Sequence, residues 1–342
     1  MRIALDAMGG DHAPGPIVAG AIEAVKLDRD LKVVLIGDQA AVEPLLSDVS
    51  ADCRERLEVF HASQVVTMED NPIVALRKKP DSSIVRCWQQ LAEKKVEALV
   101  SAGNTGAVVA AGMRLRRFLP HVDRPGIATI MPTLKGPCVM LDVGANVHPK
   151  PAHLFQYGVM GGIFAKHLLK KDAPTIGLMN IGSEEGKGDT LAKETQVIFN
   201  GSHLKDRFVG NIEGRDIHRG ACDVIVCDGF LGNVILKTCE GVFDFLMKVT
   251  AKELMTTLDT EKDKGQKAIQ NLVDRFDYAA HGGAPLLGVD GVCIICHGSS
   301  GALAIKNALA VASRYAALGL NRLIVEELEA DPVLSQYAAA NS

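Results

Sequence analysis

Apolar residues along the chain fall into two alternating kinds of segment. Short, nearly uninterrupted runs such as "RIALD", "VEALVS" and "DVIVCD" each lead into a loop rich in Gly, Ser, Thr, Asn or Asp. Each loop then leads into a longer segment whose apolar residues recur at helical spacing. The short runs have the size and composition of buried strands, and the longer ones carry the period of packed helices. Five such units stand out: "RIALDAMGGDHAPGP" before "IVAGAIEAVK", "VEALVSAGNTGA" before "VVAAGMRLRRF", "PTIGLMNIGSEEGKGDT" before "LAKETQVIF", "DVIVCDGFLGN" before "VILKTCEGVFDFLMKV", and "GVCIICHGSSG" before "ALAIKNALAVASRYAALGL". "KVVLIGD", "IATIMP" and "CVMLDVGAN" read as further strands. This alternation predicts a three-layer α/β/α body around a mainly parallel sheet covered on both faces.

No linker, charge block, low-complexity tract or repeat divides the chain, so residues 1–342 read as a single α/β/α domain. The stretch from about 241 to 281 departs from the pattern. Val242, Phe243, Phe245, Leu246 and Val249, followed by "TTLDTEKDKGQKAIQNLVDRF", predict a helical hairpin projecting from the sheet. Its apolar face is suited to core, to a subunit interface or to a membrane surface.

Composition narrows the class. A chain of 342 residues with 47% hydrophobic and 23% charged positions has ample material for a folded core. The net charge of -4 gives no general attraction to nucleic acid. The opening "MRIALDAMGG" lacks the apolar core of a secretory signal, and no run approaches the roughly 20 apolar residues of a membrane span, so a cytoplasmic location is expected. There the eight cysteines are expected to be free thiols. One pair invites another reading, because "CIICH" (293–297) has the spacing of covalent haem attachment. Residues three apart on a strand point to opposite faces, however, so Cys293 and Cys296 are expected to be small buried hydrophobes.

Candidate chemistry lies in the loops. In open parallel sheets, ligands gather beyond the strand carboxyl ends, where helix starts offer free N–H groups and a positive dipole end to an anion. For any one loop taken alone, helix capping and chain turning are the better explanation, and it is the several loops together that favour an anion. The stretch "MGGDHAPG" has the wrong spacing for a dinucleotide fingerprint. In "GSEEGKGDT" the glycines enclose three residues rather than four, and Gly188 stands where a P-loop has its hydroxyl. No zinc motif or nucleophile elbow occurs, so neither a metal nor a cofactor is expected.

Seven segments occur in order: "LDAMGGDHAP", "SAGNTGA", "LDVGAN", "NIGSEEGKG", "GNIEGRDI", "CDGFLGNVILKTCEG" and "GGAPLLGV". Together they resemble the bacterial phosphate acyltransferases of phospholipid synthesis. The resemblance implies a fold similar to that of isopropylmalate dehydrogenase and phosphotransacetylase. It also implies a cytoplasmic homodimer that makes acyl phosphate from a fatty acyl carrier protein thioester and inorganic phosphate. The product would feed a membrane-bound glycerol-3-phosphate acyltransferase, so loose peripheral membrane association is implied as well. Acyl-CoA transfer of the phosphotransacetylase kind, hydride transfer on the related dehydrogenase fold, and a non-catalytic phosphate-ligand sensor or scaffold are the alternatives.

The residues suit such chemistry. Phosphate can attack a thioester directly and a thiolate, with a pKa near about 8.5, leaves readily, so no protein nucleophile is required. Donors for phosphate and for the tetrahedral oxyanion are required. Gly103, Asn104, Thr105 and Gly106 are expected to cradle phosphate, with Ser299 and Ser300 across the crevice. Lys187, Asp228 and Asn233 are expected to be catalytic, Lys187 as the neutralising cation and Asp228 as the phosphate orienter or proton acceptor; a helix cap is the other role open to Asp228. Asp6, His12 and His297 belong to the same set of loops. Arg114, Arg116, Arg117 and Arg124, in "MRLRRFLPHVDR", form a candidate docking patch for the acidic carrier protein.

Overall fold

The computed structural model describes residues 1–115, 117–257, 261–276, 282–331 and 333. Among them eleven strands form one sheet: β1 (Arg2–Asp6), β2 (Lys32–Gly37), β3 (Leu57–His61), β4 (Ala98–Ser101), β5 (Gly126–Met131), β6 (Cys138–Leu141), β7 (Ile176–Met179), β8 (Phe208–Ile212), β9 (Val224–Val226), β10 (Ala284–Leu287) and β11 (Val292–Ile295). Their order across the sheet is β3-β2-β1-β4-β11-β10-β5-β6-β9-β7-β8. Seven of the ten pairings are parallel, as the strand-helix alternation predicts.

The three antiparallel pairings sit together at the centre, where β10 joins β11 to β5 and β5 joins β6. They reverse the sheet. Strands β1 to β4 and β11 run one way and form a first lobe, while β6, β9, β7 and β8 run the other way and form a second. This corrects the expectation of a single row of functional loops. The loops after β1, β4 and β11 leave one end of the sheet and those after β7 and β9 leave the other.

Apolar clusters cover both faces. On one, Leu5, Val100, Ile294, Ile305, Leu309 and Phe164 are buried; on the other, Leu99, Ile127, Met140, Trp88 and Ile295. Cys293 falls in the second cluster and Cys296 in the first, so their sulfurs do face apart. Burial pushes the Cys296 thiol up to about 12 and that of Cys293 higher still. Helices meet closely where small residues allow. Gly20 of helix Gly15–Leu27 lies against helix Ala302–Leu318, where an added Cβ would come 2.7 Å from Ile305 Cβ and from the Ala302 carbonyl oxygen.

The expected hairpin begins earlier than position 241. One continuous helix, Gly229–Thr257, starts directly after β9, and helix Lys262–Phe276 packs against it. Positions 258–260 and 277–281 of that stretch lie outside the described residues. Among the described residues no single helix is long and apolar enough to cross a membrane. The bent pair Ala302–Leu318 and Leu320–Ala330 passes on composition when taken together, but Ile305, Leu309 and Ile324 are buried in the core.

Candidate active site

In the first lobe, four loops lock onto one another. Asp6, at the end of β1, is 2% exposed and accepts from the Ser101 hydroxyl at 2.7 Å and from the Met8 N–H at 3.3 Å. Burial pushes its carboxyl above the usual carboxylate range despite these bonds. Gly9 must lack a side chain here, since a Cβ would come 2.7 Å from both Asp6 Oδ2 and the Gly103 nitrogen. The Asp11 N–H donates to the Gly298 carbonyl at 2.8 Å, joining the β1 and β11 loops. Asn104 caps helix Thr105–Arg114 by accepting from the Ala107 N–H at 3.0 Å, and its amide donates to the carbonyls of Thr67, Met68 and Asp70.

These bonds redistribute the expected phosphate cradle. The Asn104 side chain is fully engaged, and the Gly103 N–H donates to Ser101 Oγ at 3.1 Å. Thr105 and Gly106 open the helix, where the N–H groups have no intrahelical acceptor. Ser299 and Ser300 precede the start of helix Ala302–Leu318, which is capped by Gly301. His297 and Ser299 interact, with Nδ1 to Oγ at 2.8 Å. His12 is exposed on the β1 loop.

The second lobe has its own buried carboxylate. Asp142, fully buried just beyond β6, accepts from the N–H groups of Ile127, Gly144 and Ala145 through Oδ1, and from the N–H and amide of Asn146 through Oδ2, at 2.8 to 3.1 Å. Burial raises its pKa too. The Asn146 amide also donates to the Pro125 carbonyl and the Tyr157 hydroxyl. Gly229 and Gly232 let the long helix rest on this loop; a Cβ on Gly232 would lie 1.9 Å from the Asp142 carbonyl oxygen. Asp142 therefore fixes where the helix starts, and with it Asn233. Only its place in "LDVGAN" marked it in the sequence.

Asp228 takes the capping role, accepting from the Leu231 N–H at 2.9 Å. Lys187 lies on the exposed 183–187 loop after β7, beside the strand that carries Asp228, and makes no ion pair among the described residues. It is not part of the Asn104 neighbourhood. Strands β4 and β7 stand six positions apart, roughly 29 Å across the sheet.

The lobes meet at a cavity of about 420 Å³. Thr105, His297, Ser299 and Ser300 line it from the first lobe, and Asn233, Lys237 and Glu240 of the long helix from the second. Two helix starts and a carboxamide thus face one space that can hold an anion beside a polar acceptor.

The arginine patch is not beside that space. Arg114 ends the ten-residue helix that Thr105 begins, about 14 Å away, and its Nη1 donates to the Leu76 carbonyl at 2.6 Å. Arg117 is ion-paired with Asp290 at 2.6 Å, Arg124 is exposed, and Arg116 lies outside the described residues.

Two opposed parallel sets around an inter-lobe cavity define an α/β/α protein of the phosphotransacetylase fold. A phosphotransacetylase from Streptococcus pyogenes matches with a TM-score of 0.60 at 16% identity, over 93% of this chain and 94% of that one. Sequence narrows the class. The model of the family described as "Fatty acid synthesis protein" matches residues 1–323, and the chain belongs to that family. A "Phosphate acyltransferase" of Heliobacterium modesticaldum is 49% identical over 314 residues, 91% of this chain and 93% of the relative. One of Nitratidesulfovibrio vulgaris strain DP4 is 44% identical over 340 residues, 99% and 98% of the two chains.

Proposed function

We propose that the inter-lobe cavity joins the acyl group of a fatty acyl carrier protein thioester to inorganic phosphate, making acyl phosphate for phospholipid synthesis. One observation carries the reading: the starts of two helices, at Thr105 and Gly301, meet Asn233 in a single cavity. The helix starts, with the hydroxyls of Thr105, Ser299 and Ser300, hold phosphate. An oxygen of hydrogen phosphate forms the new C–O bond, the tetrahedral oxyanion collapses, the C–S bond breaks, and the carrier thiolate leaves and takes up the proton that the phosphate gives up. The Asn233 amide donates to the oxyanion. Lys187, at the same end of the second lobe as the start of the long helix, supplies positive charge at the rim.

Acyl phosphate then passes to a membrane-bound glycerol-3-phosphate acyltransferase. The protein acts as a cytoplasmic homodimer with a peripheral membrane contact. Val242, Phe245, Leu246 and Val249 support that contact, because they are exposed at helical spacing along the long helix. Arg114 and Arg124 remain for the carrier protein, whose encounter should weaken with salt. A hydroxylamine trap tests the reaction. Purified protein, phosphate and palmitoyl carrier protein should give palmitoyl hydroxamate faster than palmitoyl-CoA does. Faster turnover of the CoA donor would favour the phosphotransacetylase reading, and no hydroxamate from either donor would end the catalytic one.

A further inference from the structure

The cavity holding Asn233 does not stop at the sheet. Its walls include Ile127 and Ile295, on the face of the second apolar cluster, and also Cys296 and Tyr315, on the face of the first. The passage lies between β5 and β10. These strands pair only through Leu286 with Ile127 and Leu287 with Gly126, so Ala284 and Pro285 have no partner on β5, although that strand continues to Met131. Pro285 has no N–H to give a ladder, which is the physical reason for a gap there.

Tyr315 stands at the far end of the passage, held edge-on against Phe164 with ring centroids 5.4 Å apart. With Pro285 it also walls a second cavity of about 350 Å³ at the rear, bordered by Leu91, Val96, Leu287 and Leu320. Ala304, near the polar mouth, and Tyr315 lie on one helix and are separated by roughly 16 Å. The path is thus polar at Asn233 and Ser299 and apolar beyond them. Its length suits a long fatty chain rather than an acetyl group.

We propose that the fatty chain of the acyl donor lies in this slit between β5 and β10, with its thioester carbon at Asn233 and its terminal methyl against Tyr315. The inference rests on the acyl-transfer reading above. Tyr315 closes the way to the rear cavity and so sets the longest chain accepted. Each methylene that gains a buried place strengthens binding roughly fourfold.

Chain-length profiles, measured as kcat/KM from hexanoyl to eicosanoyl carrier protein, test it. Tyr315→Ala should move the optimum to longer donors, with the donor two methylenes beyond the wild-type optimum improving about 15-fold relative to that optimum. Tyr315→Trp, at the far end, should lower turnover of the longest donors at least about tenfold while hexanoyl transfer, whose chain is too short to reach it, stays within about twofold. Unchanged profiles in variants that keep hexanoyl activity would overturn the proposal. A palmitoyl donor carrying a terminal diazirine gives a readout independent of folding in the variants. On the wild-type protein it should label the peptide containing Tyr315, and labelling confined to peptides outside the slit would sink the idea. If the wild type forms no acyl hydroxamate, the acyl-transfer reading fails, while the crosslink still reports whether the slit takes the chain.

Discussion

The two lobes present their loops in opposite ways. In the first, Asp6, Ser101, Asn104 and Asp11 are bonded from loop to loop, so the ends of β1, β4 and β11 form one interlocked surface. In the second, the densest interlocking is the Asp142 loop beneath the long helix, while residues 183–187 stand exposed and are tied down by the Asn180 and Asn211 amides, which donate to the Lys187 and Glu184 carbonyls. The first arrangement suits a seat that must be ready before an anion arrives, since donors fixed in advance need no reorganisation. The second suits a rigid amide at Asn233, with Lys187 on an exposed loop that leaves the same end of that lobe.

The comparison can be broken at several points. The largest expected effect is at Asn233: Asn233→Ala should lower kcat by about 100-fold with an unchanged melting curve, as for removal of an oxyanion donor. A loss only in KM for phosphate would move Asn233 to the anion seat. Asp142→Asn should follow, costing at least about 2 kcal/mol in urea unfolding because two donors or more, at the least the Asn146 N–H and its side-chain amide, then face an amide rather than an oxygen. Asp6→Asn, which disturbs fewer bonds, should cost less; an equal cost would show that the first lobe relies on its carboxylate as heavily as the second. Lys187→Ala should reduce acyl phosphate formation about tenfold, close to 1.4 kcal/mol, without affecting stability.

The carboxylates also differ in how they respond to pH. Asp6 and Asp142 are raised by burial, so the stability they contribute is fully present below the ordinary value of 3.8 and is lost as pH rises through their raised values. Asp81 behaves in the opposite sense. The Ser63 hydroxyl and N–H and the Arg86 guanidinium hold its carboxyl well below the usual range, so its contribution is present above 3.8 and lost as pH falls. Asp81→Asn should therefore flatten the acid side of a stability-pH curve, and Asp142→Asn should remove part of the fall in stability as pH rises from about 4 toward neutral. A smaller effect is expected in amide exchange, which should be faster over 183–187 than over 101–105.

How legible this was depended on whether the signal was local. β1, β4, β7, β9 and β11 are buried on both faces, and such strands read as continuous apolar runs. β3 and β8 at the sheet edges mix exposed and half-buried residues, and the short β10 carries Pro285, so none of the three announced itself. Helix Pro151–Leu168 is buried on nearly all sides and lacks the polar face that gives a helix its sequence period. Strand direction is a tertiary property, and the reversal at β10 and β5 decides that Lys187 and Asn104 leave opposite ends of the sheet. Of the residues that line the cavity, Asn233 and Ser299 stand out in the sequence because polar residues after a buried run mark a loop or helix start; Pro285 and Tyr315 do not, because each looks like ordinary core.

The interleaving of β10 and β11 between β4 and β5 has a consequence for biosynthesis. Strands from residues 284–295 complete a lobe whose other strands come from the first 101 residues, whereas β5 to β9 are drawn from 126–226. As the chain leaves the ribosome, the second lobe has all its strands in hand while the first still lacks its innermost one. Such long-separation pairing is slow to form and leaves an unpaired β4 edge exposed in the meantime. Nascent chains stalled between about 240 and 280 should therefore be the ones that chaperones hold longest.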